Sequence, residues 1–217
     1  MIRFVIFAFI VTVILFLLVS SIAVASDKST NNGTINGTIK ETIKETIVFH
    51  TNDPYGKLTK EEVHTQILAA GIMANDTYSA AFDNSVKSIG YSAFYMDSNI
   101  ISAIIPDGVT YIDDYNFSYC NQLFNAIISD SVNRIGEYCF GNTKLEQVII
   151  PEYVERIGNS PFVDNMLLKQ IIVSPKNRYY ASEDGVLFTY DKTALITYPA
   201  GRSGAYTIPE SVQYISG

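Results

Sequence analysis

The chain has 217 residues, a formal net charge of −7 and a pI of about 4.8. That length builds one core of moderate size. The acidic balance argues against nucleic acid or an anionic lipid surface as a partner.

Residues 1–25 form a separate device. Arg3 is the only charge before Asp27, and Phe4 to Val19 is apolar apart from Thr12. Small residues follow and end in Ala23-Val24-Ala25. A basic start, an apolar run and an A-x-A site are the pattern of a secretory signal, which predicts cleavage after Ala25. Residues 4–25 are also long enough to cross a bilayer as an uncleaved anchor. Both readings export the rest of the chain, and they give the membrane no other point of attachment.

Residues 26–56 read as a low-complexity linker. A four-residue phrase recurs as Asn32-Gly-Thr-Ile, Asn36-Gly-Thr-Ile, Lys40-Glu-Thr-Ile and Lys44-Glu-Thr-Ile. Thr, Ile and Gly disfavour helix, so a mostly extended spacer is expected, with a strand near Thr46–Phe49. Asn32, Asn36 and Asn75 are N-glycosylation sequons. Asn116 opens a fourth, but it precedes a core Phe, where a glycan has little room.

Residues 57–84 are expected to cap the repeats that begin at residue 85. Thr59-Lys60-Glu61-Glu62 reads as a capping box. Val63, Ile67 and Leu68 continue at helical spacing, so the prediction is a short helix from Lys60 to about Ala70. Ile72 to Ala81 adds a second apolar piece. His50 and His64 are the only histidines and have no second His or Cys at ligand spacing. No metal site and no cofactor are expected.

From residue 85 to 217 the chain repeats. Lines starting at Val86, Val109, Val132 and Val154 are 23, 23 and 22 residues apart, and Val212 starts another. Such a period predicts a solenoid whose coils bury their apolar faces against each other. Leu145, Val148, Ile150, Val154, Ile157 and Phe162 are one coil's apolar slots. Leu123, Ala126, Ile128, Val132, Ile135 and Phe140 fill the same slots one coil earlier. Val148 and Ile150 are two apart, as on one face of a strand, so each coil adds a strand to a parallel sheet. Gly90, Asp113, Gly136, Gly158 and Ser216 are helix N-cap types, which predicts short helical turns on the convex side. Phe94, Phe117, Phe140 and Phe162 should then stack inward as an aromatic ladder. The fold class is α+β: a solenoid with its parallel sheet on the concave face, helical turns on the convex face and one hairpin insertion. Cys120 and Cys139 lie on neighbouring coils. They read either as a disulfide, which export permits, or as buried thiols acting as small hydrophobes.

The phrase Leu-x-x-Val-x-Ile-Pro-x-x-Val-x-x-Ile-Gly-x-x-x-Phe resembles the BspA-type leucine-rich repeat of bacterial and protist surface proteins. Residues 174–211 resemble that family's hairpin-bearing repeat. Asp184-Gly185 is a turn, and Val186–Tyr190 and Ala194–Tyr198 are strands joined around Asp191-Lys192. Two positions depart from the family's pattern. Asn116 and Pro161 replace the usual Ala before Phe, so local distortion of those coils is expected. The last repeat, from Val212, stops at Gly217 before its Phe, as expected of a fragment or truncated product, or of an open coil completed by a partner or by self-association.

Strand residues between core slots face outward on the concave side: Ser102 and Ile104, Asn125 and Ile127, Gln147 and Ile149, Gln170 and Ile172. They make an isoleucine ladder beside a polar row, with Tyr111, Tyr153 and Tyr179 near its edge. An exposed apolar stripe is a candidate contact surface, although flat ladders also favour Ile for cross-strand packing alone. No G-x-S-x-G, P-loop or His-x-x-x-His occurs. The acidic pairs Asp113-Asp114 and Glu183-Asp184 read as a cap and a turn, so no catalytic residue is expected. The resemblance implies adhesion or surface interaction; with the export signal and the missing catalytic motifs, the expectation is a secreted or cell-surface, noncatalytic module that binds protein or extracellular matrix. The alternatives are a self-associating envelope component and a repeat fragment of a larger exported enzyme.

Overall fold

The computed structural model describes residues 43–216. The expected signal at 1–25 and the sequons at Asn32 and Asn36 lie outside the described residues. Among the described residues, no helix is long and apolar enough to cross a membrane.

Two parallel walls run through the solenoid. The first, concave wall takes β1 (Ile43–Phe49), β3 (Thr77–Phe82), β5 (Ile100–Ile105), β7 (Asn125–Ile128), β9 (Gln147–Ile150) and β11 (Gln170–Val173). The second takes two-residue strands, one per coil: β2 (Lys57–Leu58), β4 (Ser88–Ile89), β6 (Tyr111–Ile112), β8 (Arg134–Ile135) and β10 (Arg156–Ile157). In this second wall each Ile sits beside the Ile of the next coil, Ile89 beside Ile112 beside Ile135 beside Ile157. Val86, Val109, Val132 and Val154 are almost fully buried behind it. The valines that mark the repeat in sequence are therefore core residues.

The repeat starts earlier than expected. β1 pairs with β3 in parallel, and β2 pairs with β4, so residues 43–58 form a first coil with buried Ile47, Phe49 and Leu58. The linker expected to reach residue 56 gives way to strand at Ile43. The second apolar piece of the expected cap is strand β3. One helix is described, α1 (Lys60–Ala69), and its capping box is present, with Thr59 Oγ1 accepting from Glu62 N and Glu62 accepting from Thr59 N. Val63 is buried beneath it.

The convex side is made of turns rather than helix. In each coil, alternate N–H groups of the turn donate to the next coil. Phe94 N reaches Asn116 O, Phe117 N reaches Cys139 O, and Phe140 N reaches Pro161 O, at 2.8–3.1 Å. The groups between them close short turns, as Cys120 N does on Phe117 O. Left-handed residues bracket each turn, such as Tyr115 and Tyr119 (φ 56° and 61°) or Tyr138 and Asn142 (φ 51° and 55°). Such residues interrupt a right-handed helix, and the bonds between coils satisfy the donors a helix would have used. Gly136 is likewise no helix cap: its N–H donates to Ile112 O, extending the second wall. A Cβ there would lie 2.4 Å from Asp114 N, so this close approach of two backbones needs glycine.

The aromatic ladder forms. Phe94, Phe117, Phe140 and Phe162 stack with centroid spacings of 5.1, 5.3 and 6.0 Å and interplanar angles of 9–18°. Asn116 does not disturb it. The residue is fully buried and its amide donates to Ile89 O and Gly90 O. The widest spacing falls at the coil carrying Pro161. Cys120 and Cys139 are buried free thiols, so no disulfide joins them. Cys120 Sγ donates to Phe94 O, back toward the preceding coil and away from the coil of Cys139.

The hairpin insertion has one strand more than the sequence suggests. β12 (Tyr180–Glu183), β13 (Val186–Thr189) and β14 (Ala194–Thr197) form an antiparallel meander, and β15 (Tyr214–Ile215) adds in parallel to β14. The β12–β13 turn uses Asp184 and Gly185, both with positive φ, as a two-residue hairpin requires. Tyr180 OH accepts from Ile157 N at 2.8 Å, which closes the second wall beside its last strand.

Candidate binding face

Parallel pairing puts one residue of each coil beside its counterpart in the next. Thr46 pairs with Ser79, Ser79 with Ser102, and Ser102 with Asn125. Gln147 pairs with Gln170. Two residues further along each strand runs an apolar row: Val48 beside Ala81, Ile104 beside Ile127, and Ile149 beside Ile172. Val48 is 56% exposed, Ile149 52% and Ile172 38%, whereas Ile104 and Ile127 are half-buried.

The polar row is bonded along its own length. Asn125 Nδ2 donates to Ser102 Oγ at 3.0 Å, and Gln170 Nε2 donates to Gln147 Oε1. Ser102 is only 8% exposed, so it supports Asn125 rather than offering a free hydroxyl. The outward residues available to a partner are Ile104, Asn125, Ile127, Gln147, Ile149, Gln170 and Ile172. Thr46, Val48, Ser79 and Ala81 extend the rows by two coils, and sequence reasoning missed them. The signal that could have found them is the alternation Ile47, Phe49 and then Tyr78, Ala80, Phe82, which is the inward period of the later strands.

Between β7 and β9 the rows stop being a continuous sheet. The concave wall divides into β1–β3–β5–β7 and β9–β11. Asn125 and Ile127 end one plate, and Gln147 and Ile149 begin the next.

The three tyrosines expected at the edge separate. Tyr153 and Tyr179 are exposed. Tyr111 belongs to the second wall, with the Arg134 guanidinium over its ring at 4.7 Å and its hydroxyl donating to Asp113 Oδ1. Desolvation, with that acceptor carboxylate beside it, pushes the Tyr111 hydroxyl pKa well up. Lys57 faces Asp113 at 3.6 Å. This group of charges is internally matched.

Three residues beyond each ladder Phe lies a column of polar groups: Asp97, Cys120, Thr143 and Asn165. Thr143 N and Oγ1 donate to Asn165 Oδ1, and Asn165 Nδ2 donates to Phe140 O. Asp97 accepts from Asn99 N, Ile100 N and the hydroxyl of fully buried Tyr78. Desolvation raises the Asp97 carboxyl pKa above the usual range despite those donors. Burial pushes the thiols of Cys120 and Cys139 up as well. Both stay protonated at neutral pH, which removes the nucleophilic form. His50 is tied at its backbone N and O by Gln66, and His64 sits exposed on α1. Among the described residues no group of three His, Cys, Asp or Glu could hold a metal ion. Asn75 is exposed in a turn.

The walls, the ladder and the outward rows define the class: a parallel β-solenoid built from leucine-rich repeats. The repeats belong to the BspA type leucine rich repeat family, whose model matches six copies over residues 75–182. That match begins at Asn75 and so leaves the first coil unmatched. No curated protein matches the chain in sequence. Among solved structures, the pneumococcal vaccine antigen PcpA is similar at 28% identity and a TM-score of 0.60, over 65% of this chain and 36% of that one. A leucine-rich repeat protein from Eubacterium ventriosum is similar in fold at 20% identity and a TM-score of 0.56, over 79% of this chain and 49% of that one. This chain therefore spans about a third to a half of the length of these two structures.

Proposed function

We propose that this protein is an exported, noncatalytic recognition module that binds a protein or extracellular matrix ligand at the cell surface through its concave rows. The observation that carries this reading is the register of those rows. One uncharged polar and one apolar residue recur per coil, and Ile149 and Ile172 stay exposed although their inward neighbours are buried. An aligned apolar stripe beside amide side chains suits an extended partner segment that offers apolar groups and hydrogen-bonding partners at strand spacing. Export is supported by the pattern of residues 1–25 and by the similarity to a bacterial antigen. The test is capture of ligand from candidate cell or matrix surfaces by the intact protein. Ile127→Asp with Ile149→Asp should abolish capture while leaving the melting temperature within a few degrees of wild type. Undiminished capture by a folded double variant refutes the reading.

A second reading, self-association, draws on the same apolar row, in which Val48, Ile149 and Ile172 are 56%, 52% and 38% exposed. Sedimentation over a concentration series separates the two, since only self-association gives polymers that grow with concentration.

A further inference from the structure

We propose that the break between β7 and β9 is a built-in joint, at which the two plates of the concave face open and close on a bound partner. This rests on the reading of that face as a recognition surface. Three observations carry it.

First, the break is local. The second wall runs through it from β8 to β10. The convex turns run through it as well, from Tyr138 N to Asn159 O and from Asn142 N to Val163 O. The coils are thus bonded along two sides, while on the third the strand ladder lapses between Lys144 N, which donates to Leu123 O at 2.9 Å, and Glu152 N, which donates to Asp130 Oδ1 at 3.2 Å. Second, the parting uncovers core slots. Ala126 and Ile128 are only partly buried, whereas Ala103, Ile105, Val148 and Ile150 in the same slots are 0–1% exposed. Third, the sequence supplies the cause. Six residues separate the ladder Phe from the following apolar slot in Phe94–Ile100, Phe117–Leu123 and Phe162–Leu168, but only five in Phe140–Leu145. With one residue fewer, the bond that Phe124 N and Lys169 N make one residue after their slot is made by Lys144 N one residue before its slot, so β9 starts out of step with β7. Thr143 in that connection is bonded forward to Asn165 of the next coil.

Pro151 adds to the effect. Ser129 N and Ser174 N donate to Ile105 O and Ile150 O of the preceding coils at 3.2 and 2.9 Å. Pro151 occupies their place and has no N–H to give. Pro106 has the same defect between β3 and β5, and there the pairing stops at Ala80–Ala103 without parting the strands. Proline alone shortens a ladder; proline with the short connection opens it. Closing the joint would bring Asn125 to Gln147 and Ile127 to Ile149, join the rows end to end and cover Ala126 and Ile128. A partner that spans both plates favours the closed form, because it gains contacts there that the open form does not offer.

Amide hydrogen exchange of the intact, ligand-free protein tests the joint without reference to any partner. Peptides covering 125–128 and 147–150 should exchange at least ~10-fold faster than those covering 100–105, as a locally opening segment does. One glycine inserted between Asn142 and Thr143 restores the six-residue spacing and should slow both segments to the rate of 100–105. Pro151→Ser returns the missing donor and should slow them in part, which keeps the test informative if the insertion does not fold. Equal protection of all three segments in the wild type overturns the joint. Fast exchange that persists in a folded insertion variant and in Pro151→Ser overturns the cause assigned to it. Loss of the recognition reading would instead appear as unchanged capture by the Ile127→Asp, Ile149→Asp protein, with these exchange rates unaffected.

Discussion

Replacing Phe117 by Ala removes the centre of the aromatic ladder. Phe117 is fully buried and stacks on Phe94 at 5.1 Å and on Phe140 at 5.3 Å. A buried Phe→Ala change costs about 3–5 kcal/mol, combining lost transfer energy with the cavity left behind. Two aromatic contacts are lost, each worth about 0.5–1.5 kcal/mol beyond burial, which places this site toward the upper end. The neighbours are held back from collapsing inward, because Phe94 N and Phe140 N are bonded to the next coil's backbone. With a urea dependence of about 2 kcal/mol per molar, a loss of about 4 kcal/mol lowers the unfolding midpoint by about 2 M. Phe162→Ala serves as an internal comparison. Its stack on Phe140 is the widest of the ladder at 6.0 Å, so its midpoint should fall less. The assay is urea unfolding of both variants, followed by circular dichroism. A Phe117→Ala midpoint equal to that of wild type, or higher than that of Phe162→Ala, refutes the claim that the ladder holds successive coils together.

Other expected outcomes concern different parts of the core. Gly136→Ala places a methyl group against the Asp113–Asp114 backbone and should cost about 1–3 kcal/mol as an overpacked site; an unchanged melting temperature would show that the second wall yields there. Tyr78→Phe leaves an oxygen of Asp97 without its hydroxyl donor and should cost about 1.5–3 kcal/mol at neutral pH, the range for a bond to a charged group, as read by chemical denaturation. Asp97 has a raised carboxyl pKa, so the folded state holds its proton more tightly than the unfolded chain. Its contribution is therefore full below the ordinary carboxylate range and is lost as pH rises through the folded-state value. The stability difference between wild type and Asp97→Asn should accordingly shift against wild type as pH rises through that window, and a pH-independent difference contradicts the assignment. Cys120 and Cys139 should resist thiol reagents in the native protein and both react after unfolding without reductant; two unreactive residues in denaturant would reveal a disulfide instead.

Much of the interior was legible from spacing alone. Once Val, Ile and Phe recur every 22 or 23 residues, each coil must bury the same slots, and Val109, Ile112, Phe117 and their counterparts are buried accordingly. The first coil was not legible. Its second wall carries Tyr55 and Leu58 where later coils carry Val and Ile, and a helix stands where later coils place a turn, so the repeated phrase is absent. The convex turns were misread because a Gly, Asp or Ser at the start of such a segment suits a helix cap and a turn equally. Whether the next N–H bonds within its own segment or across to the neighbouring coil is not a local property.

The outward rows show the same division. Alternation in sequence identified Asn125, Ile127, Gln147, Ile149, Gln170 and Ile172 as outward-facing. Stacking decided that Ser102 is covered, that Ile104 and Ile127 are half-buried, and that Thr46 and Val48 join the rows. The 22-residue step was visible in the chain as a number. Only in the folded molecule does it become a parting of β7 from β9. A missing residue acts through the register of one coil against another, and that register exists only when the coils are stacked. By itself, the sequence determined the repeat, the buried slots and the hairpin turn, because these follow from local period and turn chemistry. The tertiary structure decided where the repeat begins, how the convex side is bonded, and where the concave face divides, because each depends on backbone groups of different coils meeting across a full repeat of chain.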